Sequence, residues 1–224
     1  VPDVVEPIQQ TIVPDVVEVI KENNDEKYKC LIVLNYVKNE SVFPLNDIDQ
    51  DIFVIESKPS ESKWENLLWF FEKHDMWKKY DYVWVPDSNI HINKIEIDTF
   101  VKIVHSKQIL IGQPSLIDSK KSYIHKILVN KPKSVIRKSH FIENKLVCFK
   151  RTFIEDDLLP VLKENKEFLT SGWGIDIWWS SNYYKNLYII DAVKVDNVKN
   201  EVCDSIGLLE MKHYVSKYKL KLRI

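Results

Sequence analysis

Apolar residues alternate along the chain between short continuous runs and longer stretches with helical spacing. The continuous runs are rich in β-branched residues and predict buried strands. They cover residues 29–37, 51–57, 82–85, 108–113 and 187–195, and residues 141–150, which alternate loosely between apolar and polar, also predict a strand. The longer stretches repeat apolar residues at i, i+3, i+4 and i+7, which predicts helices with one buried face. They cover residues 62–80, 93–107, 153–165, 173–184 and 205–217.

Strands that alternate with helices are typical of an α/β fold with a largely parallel sheet. Pro114 should end the strand at 108–113, and Pro160 should be tolerated within the helix at 153–165 or kink it. Residues 115–140 are rich in lysine and show no clear pattern. The tail at 218–224 alternates apolar and basic residues, as a half-exposed edge strand would.

A near-repeat occupies the N-terminus, with Val-Pro-Asp-Val-Val-Glu at residues 1–6 and again at 13–18. Two copies are too few for a solenoid. The pattern predicts a tether or an extended arm on the surface, although the second copy is also compatible with a short helix running to Lys21. We expect an arm or linker over residues 1–27 and a single domain over residues 28–224, because no break in composition divides the remainder.

Composition argues against some classes of protein. The 224 residues carry a net charge of −1, so they lack the excess of positive charge that is typical of nucleic-acid-binding proteins. The lack of an apolar run of about 18 residues predicts that there is no transmembrane segment. Three widely spaced cysteines indicate buried thiols in a reducing compartment, so a cytoplasmic setting is expected, with peripheral contact to a membrane as an option. A first residue other than Met predicts a segment of a longer chain.

A short acidic turn follows the predicted strand at 82–85. Pro86 has no N–H to extend the ladder, and Asp87, Ser88 and Asn89 come just past the carboxyl end of the strand. Ligands bind at this edge of open α/β sheets. The oxygen atoms of Asp87 and Asn89 could hold a divalent cation against a phosphate. The alternative is an ordinary turn, because these residue types also favour turns.

A second acidic position, Asp176, lies in the first turn of the helix predicted at 173–184. A carboxylate is favourable there because of the helix dipole. It could also act as a general base beside Trp173, on which a sugar ring could stack. Lys63 begins another predicted helix and could reach an anionic ligand, although a solvated lysine is the commoner case.

Six short segments, taken together and in this order, resemble a known family. They are Ser62-Lys63-Trp64, YDYVWVPDSN at 80–89, Gln113-Pro114-Ser115-Leu116, Phe141-Ile142-Glu143, Gly172-Trp173-Gly174-Ile175-Asp176 and Ile189-Ile190-Asp191-Ala192. Each is unspecific alone, but their order resembles domain-of-unknown-function family 707, which is similar to GT-A-fold nucleotide-sugar glycosyltransferases. The resemblance implies an α/β, GT-A-like fold with a mixed, mostly parallel sheet flanked by helices.

The resemblance also implies a function. The protein would move a sugar from a nucleotide-diphosphate donor to a hydroxyl of a glycan or protein-linked acceptor, and Asp176 would be the base of an inverting reaction. The positions that would bind the donor and its diphosphate are Asp87, Ser88, Asn89, Lys63 and Trp64. The positions that would contact the acceptor or sugar are Trp173, Gly174, Glu143 and Gln113.

Two departures from the family pattern concern the metal. The second acid of the acidic motif is Asn89, and the histidine expected after the last strand is Asn197, with Asp196 beside it. An amide oxygen can ligate a cation but contributes no charge. The expected site for Mn²⁺ or Mg²⁺ therefore comprises Asp87, Asn89 and either Asn197 or Asp196. The rival hypotheses are a non-catalytic GT-A-like domain that binds a glycan or partner, and a plain interaction domain.

Overall fold

The structure of the chain is a computed structural model. It describes residues 15–19, 30–38, 41–45, 48–58, 61–117, 125–197 and 205–220, with the backbone alone at 15–19 and 197. Within these residues, no helix is long and apolar enough to cross a lipid bilayer.

Nine strands and six α-helical segments occur in the described residues. The strands are β1 Asp15–Val19, β2 Cys30–Val37, β3 Asp51–Ser57, β4 Tyr82–Trp84, β5 Ile90–His91, β6 Ile111–Leu116, β7 Arg137–Ser139, β8 Cys148–Lys150 and β9 Leu187–Asn197. The helices are α1 Lys63–Lys73, α2 Lys94–Ser106, α3 Arg151–Phe153, α4 Leu159–Glu164, α5 Ile175–Asn182 and α6 Ser205–Lys217. Single 3₁₀ turns lie at Met76–Lys79, Lys126–Leu128 and Lys166–Phe168.

The strands form one mixed sheet in the order β1-β3-β2-β4-β8-β6-β9-β5, and β7 also pairs with β9. The two longest ladders, β2 with β3 and β6 with β9, are parallel, as is β2 with β4. The short strand β8 runs antiparallel between β4 and β6. The predicted α/β class, with a mixed sheet flanked by helices, is confirmed.

The central strands are buried on both faces, which explains their continuous apolar runs. Residues Leu31–Leu34 of β2 and Val83 of β4 are inaccessible to solvent. Helix α1 packs its apolar face on this core through Leu67 and Phe70. The helix begins where the Ser62 hydroxyl accepts hydrogen bonds from the backbone N–H groups of the first turn, a typical N-cap.

Several predicted boundaries are wrong. Helix α1 ends at Lys73 instead of reaching residue 80, and a 3₁₀ turn continues the chain towards β4. Strand β6 does not stop before Pro114 but runs to Leu116. The proline is tolerated because the pairing with β8 ends at Gly112 and a register shift against β9 follows Pro114.

The segment predicted as a strand over 141–150 is regular only at Cys148–Lys150. Its earlier residues leave the ladder and form the floor of the site described below. The helix predicted at 153–165 starts earlier, at Arg151, and contains a π-helical turn at Ile154–Leu158. Leu159 separates that turn from Pro160, whose ring would clash with a carbonyl oxygen of a regular helix.

The two ends of the chain depart from their sequence predictions in different ways. Residues Asp15–Val19 form an edge strand antiparallel to β3, which is an extended conformation and not the short helix. The domain boundary at residue 27 stays a prediction. Helix α6 has the bounds expected from the sequence. The tail predicted as an edge strand is not a strand over Tyr218–Leu220, and its last residues lie outside the described part of the chain.

Candidate functional site

The acidic turn after β4 is fixed at the carboxyl edge of the sheet. Asp87 forms an isolated parallel bridge with Asn35, just beyond the β2–β4 ladder, and its N–H donates to the Lys145 carbonyl oxygen over 2.7 Å. The carbonyl oxygen of Ser88 accepts from the backbone N–H groups of Val42 and Phe43, at 2.7 and 3.0 Å. Because both sides of the turn are bonded, the Asp87 side chain projects from a rigid base.

Lys63, the first residue of α1, forms an ion pair with this turn. Its Nζ lies 2.7 Å from Oδ1 of Asp87, and the two side chains are 16% and 18% exposed. The ammonium also donates to the carbonyl oxygens of Asn144, at 3.0 Å, and Lys145, at 3.4 Å. The predicted proximity of Lys63 and Asp87 is therefore observed, and the lysine is not a solvated surface residue.

The end of β9 reaches the same turn. Strand β5, which directly follows Asn89, pairs with β9 so that Ile90 opposes Asn197 and His91 opposes Asp196. The two departures from the family pattern thus lie close along the paired strands, Asn89 in the turn before β5 and Asn197 at the end of β9. The Oδ1 atom of Asn89 is buried and has no hydrogen-bond partner in the described part of the chain.

These residues are a poor match for a divalent cation. Mg²⁺ and Mn²⁺ favour several anionic oxygen ligands. Asp87 supplies a carboxylate whose Oδ1 already faces an ammonium, and Asn89 supplies a neutral oxygen. Among the described residues, no cluster of three or more His, Cys, Asp or Glu side chains could hold a metal. The expected Mn²⁺ or Mg²⁺ stays a prediction that the structure does not test.

A cavity of about 150 Å³ is lined by Asn144 and Lys145, whose carbonyl oxygens accept from Lys63. Its apolar lining residues are Phe141, Trp173, Ile177 and Met211. The others are His125, Glu143, Asn144, Lys145, Asp176 and Gly174. The Trp173 ring lies against Gly207 of α6, where an added Cβ would be 3.0 Å from the ring. The cavity thus brings together Asp176, Trp173, Gly174 and Glu143, four positions named from the sequence, and their roles stay predictions.

Asp176 is half-buried at the start of α5, and its surroundings determine its acidity. Burial raises the pKa of this carboxyl group to about 7, because desolvation disfavours the charged form. Backbone N–H groups oppose the shift, among them that of Ile177, which donates to Oδ1 over 2.9 Å. A carboxyl group with a pKa near neutrality can take up a proton during a reaction and release it afterwards.

Asn144 connects the carboxylate of Asp176 to the lysine pair. Its carbonyl oxygen accepts from Lys63, and its backbone N–H is among the groups that lower the pKa of Asp176. Its side-chain amide donates to the Gly172 carbonyl oxygen over 3.0 Å. A single residue therefore bridges the Lys63–Asp87 pair and the cavity.

The loop before α5 depends on its glycines and on a buried acid. Gly172 has a φ of +71°, and an added Cβ would lie 2.1 Å from the Trp64 ring. Gly174 has a φ of +94°, and an added Cβ would lie 2.8 Å from the backbone of Met211. Glu210 of α6 accepts hydrogen bonds from the backbone N–H groups of Ser171 and Gly172, at 3.0 Å each. These contacts hold Asp176 against the cavity.

Two predicted contact residues, Trp64 and Gln113, take different positions. Trp64 is 2% exposed and packs on Trp179 at a centroid distance of 5.6 Å, so its position does not fit a direct donor contact. Gln113 is completely buried, and its Oε1 accepts from the Glu143 N–H over 2.7 Å. It positions Glu143 and is not among the described residues that line the cavity. Glu143 lies 3.8 Å from the Lys145 ammonium.

Sequence reasoning missed several residues of the site. They are His125, Phe141, Asn144, Lys145, Met211 and the supporting Glu210. Asn144 and Lys145 fall in the stretch predicted as a strand, where each alternate residue was expected to face the core. His125 lies within the segment without pattern at 115–140, and its pKa is lowered by burial and by the Lys145 charge. These residues can be recognised as part of the site only from the three-dimensional structure.

Comparisons with solved structures give distant likenesses. A197 from STIV has 13% identity and a TM-score of 0.44, over 79% of this chain and 97% of that chain. TarS 1–349 from S. aureus in complex with UDP has 11% identity and a TM-score of 0.49, over 87% of this chain and 67% of that chain. Its complex with UDP-GlcNAc has 10% identity and a TM-score of 0.46, over 80% and 60%. A further TarS structure is covered over 40% of its length.

At these scores, the likenesses carry no argument about function. No curated protein matches the sequence. A family model described as a protein of unknown function, DUF707, matches residues 9–155. This match extends over the β2–β4 edge, Lys63, Asp87 and the Phe141–Lys145 floor of the site. The chain therefore belongs to the DUF707 family.

Proposed function

We propose that the protein is an inverting glycosyltransferase that moves a sugar from a nucleotide-diphosphate donor to a hydroxyl acceptor. One observation carries this proposal: a carboxyl group with a pKa of about 7, Asp176, lines a cavity that Asn144 connects to the Lys63–Asp87 pair. The proposal is supported by the backbone of Asn144, which contacts both the proposed proton acceptor, Asp176, and the Lys63 ammonium. Transfer of a sugar from a diphosphate leaving group needs both groups within the length of one substrate.

The proposed reaction is a single displacement. The acceptor oxygen forms a bond to the anomeric carbon of the donor while the bond from that carbon to the diphosphate oxygen breaks. Asp176 takes the hydroxyl proton, and the bonding electrons leave with the diphosphate. General-base help of this kind contributes roughly 10²–10⁴ in rate. Attack from the side opposite the leaving group inverts the anomeric centre.

The diphosphate would bind at the turn of Asp87, Ser88 and Asn89. The Lys63 ammonium, which is 16% exposed, can face the phosphate oxygens while it keeps its contact to Asp87. A fixed positive charge stabilises the negative charge that develops on the leaving group.

The cavity would receive the acceptor and the transferred sugar. The Trp173 ring lines it and can stack on the apolar face of a sugar ring. The buried pair of Glu143 and Lys145, which also line the cavity, would supply hydrogen-bonding groups for sugar hydroxyls. A glycan or a protein-linked hydroxyl both fit this chemistry. The cytoplasmic setting stays a prediction, supported by the buried free thiols of Cys30 and Cys148.

The direct test is a panel of nucleotide-sugar donors. Thermal-shift measurements should find at least one donor that stabilises the protein, because a ligand that binds the folded state raises its stability. The same donor should be hydrolysed slowly, or transferred when an acceptor panel is added. If no donor in the panel binds or turns over, the proposed function is refuted.

A second candidate is a non-catalytic GT-A-like domain that binds a glycan or a partner. It is favoured by the neutral Asn89 and the poor match to a metal site. The candidates differ in one outcome. A binding domain would take up a sugar or a donor without any turnover, and replacement of Asp176 would change nothing except the affinity.

A further inference from the structure

We propose that the Lys63 ammonium is the resident cation of the diphosphate site, so that a nucleoside diphosphate binds there without a divalent metal. This inference rests on the proposed function. The Lys63 side chain stabilises the negative charge of the diphosphate, which is the role for which the sequence predicts Mn²⁺ or Mg²⁺.

The surroundings of the ammonium resemble those of a bound cation. Three oxygen atoms face Nζ of Lys63: Oδ1 of Asp87 at 2.7 Å, the Asn144 carbonyl oxygen at 3.0 Å and the Lys145 carbonyl oxygen at 3.4 Å. An ammonium group has three N–H donors, which these acceptors match in number. The Lys145 carbonyl oxygen makes the longest contact, so a phosphate oxygen can replace it with the smallest loss.

The charges at the turn favour one cation and disfavour a second. Asp87 is neutralised by Lys63, and Asn89 adds an oxygen without charge. A divalent ion on Asp87 would lie close to the lysine ammonium, and like charges at such a distance repel each other strongly in a half-buried site. The ammonium and the metal therefore compete for the same carboxylate.

The lysine is held in place by its own helix. Ser62 caps α1 and accepts from the N–H of Trp64 over 3.1 Å, and the Trp64 ring is buried against Gly172. The backbone of Lys63 cannot move away without disturbing this packing. A cation that is fixed before the ligand arrives stabilises a leaving group without further reorganisation.

The experiment measures binding of UDP, GDP, ADP and CDP by isothermal titration calorimetry, with EDTA and separately with Mn²⁺. We expect the tightest-binding nucleotide to have the same Kd in both, within about threefold. Lys63→Met should weaken binding by at least about tenfold in EDTA, since a charge-assisted contact to phosphate is lost. Lys78→Met is the matched control, because Lys78 forms an exposed ion pair with Asp75 at 2.5 Å.

Lys63→Arg covers the case in which the methionine variant does not fold, because it keeps the charge. It should retain more affinity than the Met variant and remain insensitive to EDTA. Binding that appears only with Mn²⁺ would overturn this inference and leave the proposed function intact. Wild-type affinity of a folded Lys63→Met protein in EDTA would overturn it as well. If none of the four nucleotides binds in either condition, the inference and the proposed function both fail.

Discussion

Asp87 and Asp176 are the same side chain in two opposite environments. Asp87 faces the Lys63 ammonium at 2.7 Å and sits on a turn bonded on both sides. Asp176 accepts hydrogen bonds from neutral backbone N–H groups, and its burial raises its pKa to about 7. The chemistry of a carboxylate is therefore decided by what surrounds it.

Under the proposed function, the contrast supports different tasks for the two acids. A carboxylate paired with an ammonium positions that cation. A carboxylate of raised pKa can accept a proton near neutral pH. The backbone of Asn144 contacts both sides, because its carbonyl oxygen accepts from Lys63 and its N–H bonds to Asp176. The predictions below separate the two acids, beginning with the largest expected effect.

Replacing Asp176 by Asn should remove the proton acceptor while keeping the size of the side chain. We expect transfer to fall by roughly 10²–10⁴ and donor binding to stay the same, since the lysine pair is untouched. Rate measurements at saturating donor, with a thermal-shift titration of the same donor, check both parts. Asp75→Asn is the control, because Asp75 is exposed. Equal transfer by Asp176→Asn and wild type would remove Asp176 from its role.

Gly172→Ala should disturb the packing of the loop before α5 against the Trp64 ring. The added Cβ would overlap the Trp64 ring, and a φ of +71° strains any residue with a side chain. We expect the free energy of unfolding to fall by about 2–4 kcal/mol in urea denaturation.

A double-mutant cycle sharpens this test. In a Trp64→Phe background, the smaller ring leaves more space, so Gly172→Ala should cost less there than in the wild type. If the cost is the same in both backgrounds, the ring overlap is not its cause.

The stability of the protein should depend on pH through Asp176. Its folded pKa, about 7, lies above the value of about 3.9 expected in the unfolded chain. The folded state then binds the proton more tightly between these values. The contribution to stability is complete below about pH 4 and is lost as the pH rises through 7. We expect a loss on the order of 2 kcal/mol, reduced from the full shift because the side chain is partly exposed.

Urea denaturation of the wild type and Asp176→Asn at several pH values isolates the contribution of the Asp176 carboxyl group to stability. The difference in unfolding free energy between the two proteins should move in favour of Asp176→Asn as the pH rises from about 5 to about 8. A difference that stays constant over this range would show that the Asp176 carboxyl group titrates alike in the folded and unfolded states.

The regular parts of the fold could be predicted because their local patterns agree with their burial. Strands β2 and β3 are continuous apolar runs covered on both faces, and α6 has the predicted bounds. The pattern failed where tertiary contacts override it. Strand β6 passes through Pro114 at a register shift, and the residues before β8 bond to the Asp87 turn instead of forming a regular strand.

The site was partly visible in the sequence for a similar reason. Lys63 and Asp176 lie in the first turns of helices, and Asp87 follows a strand. Each of these positions can be recognised from the sequence. Asn144 has no such local signal, because its role depends on a carbonyl oxygen and an N–H that face two distant elements. Gln113 and Trp64 lie close to the site, but their burial makes them supports.

The central claim is that Asp176 is a carboxyl group of raised pKa beside a diphosphate site. An NMR titration of ¹³C-labelled aspartate carboxyl groups, with the Asp176→Asn spectrum to assign the signal, tests it without a substrate. The account predicts that the Asp176 signal titrates with a pKa of about 7. A value near 4, as in an exposed aspartate, would contradict it.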